Sequence, residues 1–101
     1  MPQNTRSINY ETNINVKAFL KLIRYAEHKR EDDGVYYVLY GGQQTFTDTS
    51  THPLEKPIIA WGRPSTAAGA YQIRNPTWKG AKAAGVASDF TPTSQVKLRF
   101  G

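Results

Sequence analysis

The sequence predicts an α+β domain in which helices surround a small antiparallel β-hairpin or sheet. Three observations predict it. Val16, Phe19, Leu20, Ile23 and Ala26 recur at three- and four-residue steps, the apolar stripe of an amphipathic helix. Val35-Tyr36-Tyr37-Val38-Leu39-Tyr40 is a run of β-formers ended by Gly41-Gly42, and Thr45-Phe46-Thr47 can return beside it. Asn75-Pro76 and Thr91-Pro92 each place proline where a helix begins.

Taken in order, residues 1–13 read as a polar lead-in and residues 14–101 as one domain. Asn15 is a good N-cap type, and the first helix should run from there to about Glu27, with Lys17, Lys21, Arg24 and His28 on its solvent face. His28 to Asp33 is charged and reads as a solvated loop closing on Gly34. The hairpin follows. Asp48 to Pro64, punctuated by Pro53, Pro57 and Pro64, reads as a loop anchored to the core by Ile58, Ile59 and Trp61. Ser65 is placed to cap a small-residue helix from Ala67 to about Ile73. Asn75-Pro76 opens the next helix, Gly85 stops it, and Thr91-Pro92 opens the last.

Composition narrows the function. With 39% hydrophobic and 21% charged residues the chain falls among ordinary folded domains. No apolar run approaches the ~20 residues of a membrane span, so no membrane insertion is expected. The polar amino terminus does not read as a secretory signal. Cysteine is absent, which removes disulfides and thiolate chemistry. A net charge of +5 favours an anionic partner: nucleic acid, an anionic membrane surface or a bacterial wall.

Glu27 is the most informative residue. It follows Val16, Leu20 and Ile23 by eleven, seven and four positions, which puts it on the apolar stripe. A carboxyl group facing a core loses solvation and keeps its proton, as an acid that protonates a departing glycosidic oxygen must. Periodicity alone favours a helix-end glutamate that simply turns into the polar run behind it. Other constellations fail. Asp48, Ser50 and His52 are near in sequence without a nucleophile-elbow motif. His28 and His52 lack the spacing of a zinc site, and Gly41-Gly42 has no phosphate-loop lysine. Basic residues are dispersed, which argues against nucleic acid.

Four segments in order carry a resemblance: Leu22-Ile23-Arg24-Tyr25-Ala26-Glu27; Leu39-Tyr40-Gly41-Gly42 with Phe46-Thr47-Asp48 and His52-Pro53; Ser65-Thr66-Ala67-Ala68-Gly69-Ala70-Tyr71-Gln72-Ile73; and Trp78 with Asp89-Phe90-Thr91-Pro92-Thr93-Ser94-Gln95. From about Val16 to Gln95 the chain resembles the lambda-type phage endolysins. The resemblance implies a lysozyme-like α+β fold with a cleft between a hairpin and a helical lobe. It also implies lytic transglycosylation of peptidoglycan glycan strands, at the bond between N-acetylmuramic acid and N-acetylglucosamine, with Glu27 as the single catalytic group. No metal or organic cofactor is implied, and a monomer is expected. Tyr71 and Gln72 match positions lining the cleft, with helix packing as the alternative for Tyr71. Tyr40 and Phe46 either flank the sugar or pack the hairpin, and Trp61 and Trp78 read as core. Asp48 is either a hydrolase's second carboxylate, which would make the chain a muramidase, or a turn cap.

The chain departs from the family pattern at His28 and Lys29, where Gly and Thr are usual, and after Gln95, where Asp and further helices usually follow. A cation beside Glu27 would favour its charged form. The ending at Gly101 implies an incomplete helical lobe, an apolar patch at Val96, Leu98 and Phe100, and a truncated product with marginal stability, with a non-enzymatic wall-binding remnant as the alternative. The lack of a signal implies synthesis in the host cytoplasm and passage to the wall through a membrane lesion made by another phage protein.

Overall fold

A computed structural model of the chain describes residues 14–30 and 32–100; the lead-in 1–13 lies outside the described residues. The element order is helix α1 (Ile14–His28), a 3-10 helix (Asp33–Tyr37), strands β1 (Ile58–Ala60) and β2 (Arg63–Ser65), helix α2 (Asn75–Ala83) and helix α3 (Pro92–Phe100).

Nearly half of helix α1 is Ala, Leu, Lys or Arg, strong helix formers, and no Gly or Pro lies inside it. Its buried residues are Leu20 and Arg24, one turn apart, with Val16 and Ile23 packed at the core's edge. Arg24 does not share the solvent face of Lys17 and Lys21. It is only 8% exposed, and its Nη1 donates to the hydroxyls of Tyr71 at 3.2 Å and Tyr36 at 3.4 Å. The guanidinium also sits 5.7 Å from the Tyr36 ring centroid, so oxygens and a π face replace water around the charge. Burial, then the hydrogen bond to Tyr71, pushes the Tyr36 phenol well above the usual tyrosine range. Leu22 and Tyr25, by contrast, are exposed. The helix ends at Lys29, whose backbone is left-handed at φ +59° and whose N–H reaches Tyr25 O at 2.7 Å.

The strand predicted over Val35–Tyr40 is replaced in its first half by the 3-10 turn. Asp32 caps that turn by accepting the Gly34 N–H at 3.2 Å, and Arg30 grips the same carboxylate at 2.6 and 2.7 Å. This local closure buries Val35 and points Tyr36 to Arg24, which an extended strand would not do. Pairing starts only at Val38, bridged to Thr45, and Leu39, bridged to Ala68.

The regular two-stranded sheet lies where a loop was expected. β1 and β2 pair antiparallel, Ile58 with Ser65, Ile59 with Pro64 and Ala60 with Arg63. The two-residue tip, Trp61-Gly62, is left-handed at both positions (φ +53° and +72°), the geometry of a type I′ hairpin turn. Only Ile58 packs on the core; alternation turns Ile59 outward, and Trp61 is 78% exposed at the tip. Neither anchors a loop to the core.

Residues 66–74 form a tight turn instead of a helix. Ala68 and Ile73 exchange both backbone hydrogen bonds, at 3.1 and 2.9 Å. Gly69 (φ +82°) makes this turn possible, and a side chain there would run into the Gln95 amide and Phe90. Helix α2 has the expected proline start and Trp78 in the core, where its Nε1–H donates to Asp89 O at 2.8 Å. Before α3, Asp89 accepts from Thr91 N–H, Thr91 Oγ1 and Ser94 Oγ. Gln95 is fully buried and uses its whole amide: Oε1 accepts Ala70 N–H at 2.9 Å, and Nε2 donates to Tyr36 O and Phe90 O at 3.0 Å each. Val96 and Leu98 are buried as well, so they do not form the exposed carboxyl-terminal patch expected from the sequence. They pack with Leu20, Val35 and Phe90 in the central core.

Candidate active site at the end of the first helix

Glu27 sits in the last turn of α1 and is exposed. The burial that the apolar stripe predicted is absent: Leu20 and Arg24 meet the core, and Glu27, further along the helix, is exposed. His28, next to it, is half-buried. Its Nε2 is 3.1 Å from the carbonyl oxygen of Gly69, an atom that can only accept, so Nε2 carries the proton and donates. The side-chain amide of Gln72 donates to the same oxygen at 3.0 Å. Gln72 itself holds a left-handed backbone (φ +50°), unusual for a residue with a Cβ.

The Gly69 N–H donates to Val38 O at 2.8 Å, which ties this turn to the segment leading into Tyr40. The Tyr40 hydroxyl donates to Ala60 O at 3.3 Å, and its ring meets Trp61 edge to face at 5.4 Å. A side chain at Gly41 would collide with the Ala60 Cβ, so this glycine lets the two hairpins approach. The end of α1, the 69–72 turn and the Tyr40–Trp61 pair are thus joined by successive contacts.

The Endolysin family matches residues 17–99 of the chain. The chain belongs to the endolysin family. Among solved structures, this endolysin is similar to lysozyme from bacteriophage lambda, with TM-score 0.72 and 28% identity. It is equally similar to bacteriophage lambda lysozyme complexed with a chitohexasaccharide, with TM-score 0.71 and 28% identity. Each comparison covers 99% of this chain and 62% of the other, so the endolysin spans about three fifths of those chains' length. Its fold is therefore lysozyme-like. No curated protein matches the chain.

Within the endolysin the other sequence candidates separate. Tyr71 is buried, its hydroxyl 3.0 Å from that of Tyr36 and bonded to Arg24, the arrangement of a packed core tyrosine. Phe46 packs at 5.9 Å from the rings of both Tyr37 and Phe90, as a hairpin core residue does. Asp48 accepts from Ser50 Oγ at 2.6 Å and Ser50 N–H at 2.9 Å, the turn-capping arrangement. Those bonds hold its carboxyl below the usual carboxylate range. Trp61, read as core, is the exposed aromatic beside Tyr40; the signal that could have placed it at a turn was Gly62 alone.

Proposed function

We propose that this endolysin cleaves peptidoglycan glycan strands by lytic transglycosylation, with Glu27 as acid and then base. The observation that carries the reading is Glu27 itself: an exposed carboxyl at the end of α1, in a chain matching the family across residues 17–99. Glu27 gives its proton to the departing glycosidic oxygen between N-acetylmuramic acid and N-acetylglucosamine. The muramyl 6-hydroxyl oxygen then bonds to the anomeric carbon, and its proton returns to Glu27. An anhydro-muramyl end forms and no water is consumed. Because Glu27 is exposed in the free chain, the dry surroundings that suit a general acid come from the glycan that covers it. Tyr40 and Trp61 offer aromatic surface for pyranose rings, and the Gln72 amide offers polar contact to an acetamido group.

One carboxyl group completes this cycle, so no metal or organic cofactor is called for. Hydrolysis ordinarily uses two. The muramidase alternative has in its favour that Asp48 is exposed and ionised; against it, that carboxylate is occupied by its own turn. The net charge of +5 suits an anionic wall. In this reading the chain works as a monomer, made in the host cytoplasm and reaching the wall once the membrane is breached.

Mass spectrometry of the soluble fragments from purified peptidoglycan tests the reaction. Anhydro ends are expected; reducing muramyl ends would overturn transglycosylation in favour of hydrolysis. Wall binding with no soluble fragments would overturn the enzymatic reading and leave a binding module.

A further inference from the structure

His28 stands between Glu27 and the left-handed Lys29, at a position where the resembled family pattern has glycine. Its ring spans 41 residues of sequence to reach Gly69 O at 3.1 Å. That oxygen is a fixed point. Gly69 N–H is bonded to Val38 O, its backbone is left-handed, and the space beside its Cα is filled by Gln95 and Phe90. The oxygen also receives the Gln72 amide at 3.0 Å and, more weakly, the Gln72 backbone N–H at 3.3 Å. In the last two turns of α1, Arg24 is buried and bonded to the Tyr71 and Tyr36 hydroxyls, and Ile23 packs at the core's edge, whereas Leu22, Tyr25 and Glu27 are exposed. His28 thus adds a second tie to the 69–72 turn, one residue from Glu27.

We infer that His28 is a positioning residue, a strut that fixes the Glu27-bearing turn of α1 against the 69–72 turn. The inference rests on the reading of Glu27 as the catalytic acid. Through one shared carbonyl, the strut sets where Glu27 lies relative to the Gln72 side chain. General-acid catalysis is sensitive to such placement, a misplacement of ~1 Å costing on the order of 10²-fold. The donor must sit at the Nε2 position. A glutamine amide nitrogen reaches about as far from the backbone as Nε2, whereas an asparagine amide nitrogen reaches only about as far as Nδ1.

Two arms test this. The first needs no turnover: NMR of the uniformly 15N-labelled chain should show the His28 Nε2–H protected from solvent exchange. The Glu27 amide should gain fast motion in His28→Asn and not in His28→Gln. A rapidly exchanging Nε2–H, or equal Glu27 mobility in both variants, overturns the strut. The second arm measures peptidoglycan cleavage below the unfolding midpoint of every variant. His28→Ala and His28→Asn should lower kcat by ~10–100-fold with KM little changed, and His28→Gln should retain most of it. Glu27→Gln run alongside separates the two claims. If Glu27→Gln is inactive and His28→Ala keeps the parental kcat, the strut falls while the acid stands. If Glu27→Gln cleaves like the parent, the acid falls and the strut's catalytic meaning with it.

Discussion

Gln95 reaches across 25 residues to hold the backbone N–H of Ala70 at 2.9 Å, and the turn carrying Gly69 and Gln72 is shaped around that bond. The same amide closes on Tyr36 O and Phe90 O, so one side chain joins α3, the 3-10 turn and the candidate site. Replacing it by Leu leaves three buried backbone groups without partners. At ~1–3 kcal/mol for each unsatisfied group, the loss should be ~3 kcal/mol or more. Urea unfolding should show a large drop in midpoint with the slope retained.

The left-handed end of α1 gives a stabilising variant. Lys29 at φ +59° bears a Cβ in a region that costs ~1–2 kcal/mol for such residues. Glycine removes that cost but loses ~0.5–1 kcal/mol of backbone entropy. Lys29→Gly should therefore raise stability by a net ~0.5–1 kcal/mol, read as an upward shift in the urea midpoint. A lower midpoint would mean that Lys29 does not terminate the helix in this conformation.

Acid should weaken the fold through His52. Its Nε2–H donates to Ile73 O at 2.7 Å, and its Nδ1 accepts Leu54 N–H at 3.1 Å, a pair of bonds available only to the neutral ring. Burial holds its pKa below the ordinary 6.5. The unfolded chain then binds the proton more readily, so this contribution is full above pH 6.5 and is lost as pH falls through the folded-state value. The Asp89 carboxyl, held low first by Ser94 Oγ and then by Thr91, adds a second loss further into acid, below its ordinary 3.8. Unfolding free energies from pH 8 down to pH 4 should fall, and His52→Leu should flatten the limb below neutrality.

Trp61 should matter to ligand and little to folding. It is 78% exposed, on a hairpin tip that favours asparagine before glycine. Trp61→Asn should leave stability within ~0.5 kcal/mol of the parent or above it. Binding of a chitooligosaccharide, followed by calorimetry, should weaken about tenfold. Undiminished binding would remove the Tyr40–Trp61 pair from the sugar site.

Legibility in the sequence followed the range of the forces. The starts of α2 and α3 were readable because Pro76 and Pro92 act on their own backbone, and Trp78 was readable as core. Arg24 was not, because the hydroxyls that compensate its burial come from 12 and 47 residues away. The 66–74 segment has the small residues of a helix, yet Gly69 and the distant Gln95 amide make it a turn. β1 and β2 are three residues each and carry Pro64, too short and interrupted for a periodic signal. In the candidate site, Glu27 stood out through its motif and Asp48 through its turn chemistry. His28 showed only as a departure from the family pattern, since its partner lies on another segment.

Substitution of Glu27 by Gln, with release of soluble fragments from purified peptidoglycan as the readout and Asp48→Asn beside it, tests the central claim most directly. Glu27→Gln keeps the size and hydrogen bonding of the side chain but has no proton to give. Its rate should fall by at least ~10²–10⁴-fold at unchanged unfolding midpoint, while Asp48→Asn stays within about tenfold of the parent. A folded Glu27→Gln chain that cleaves at the parental rate would contradict the account.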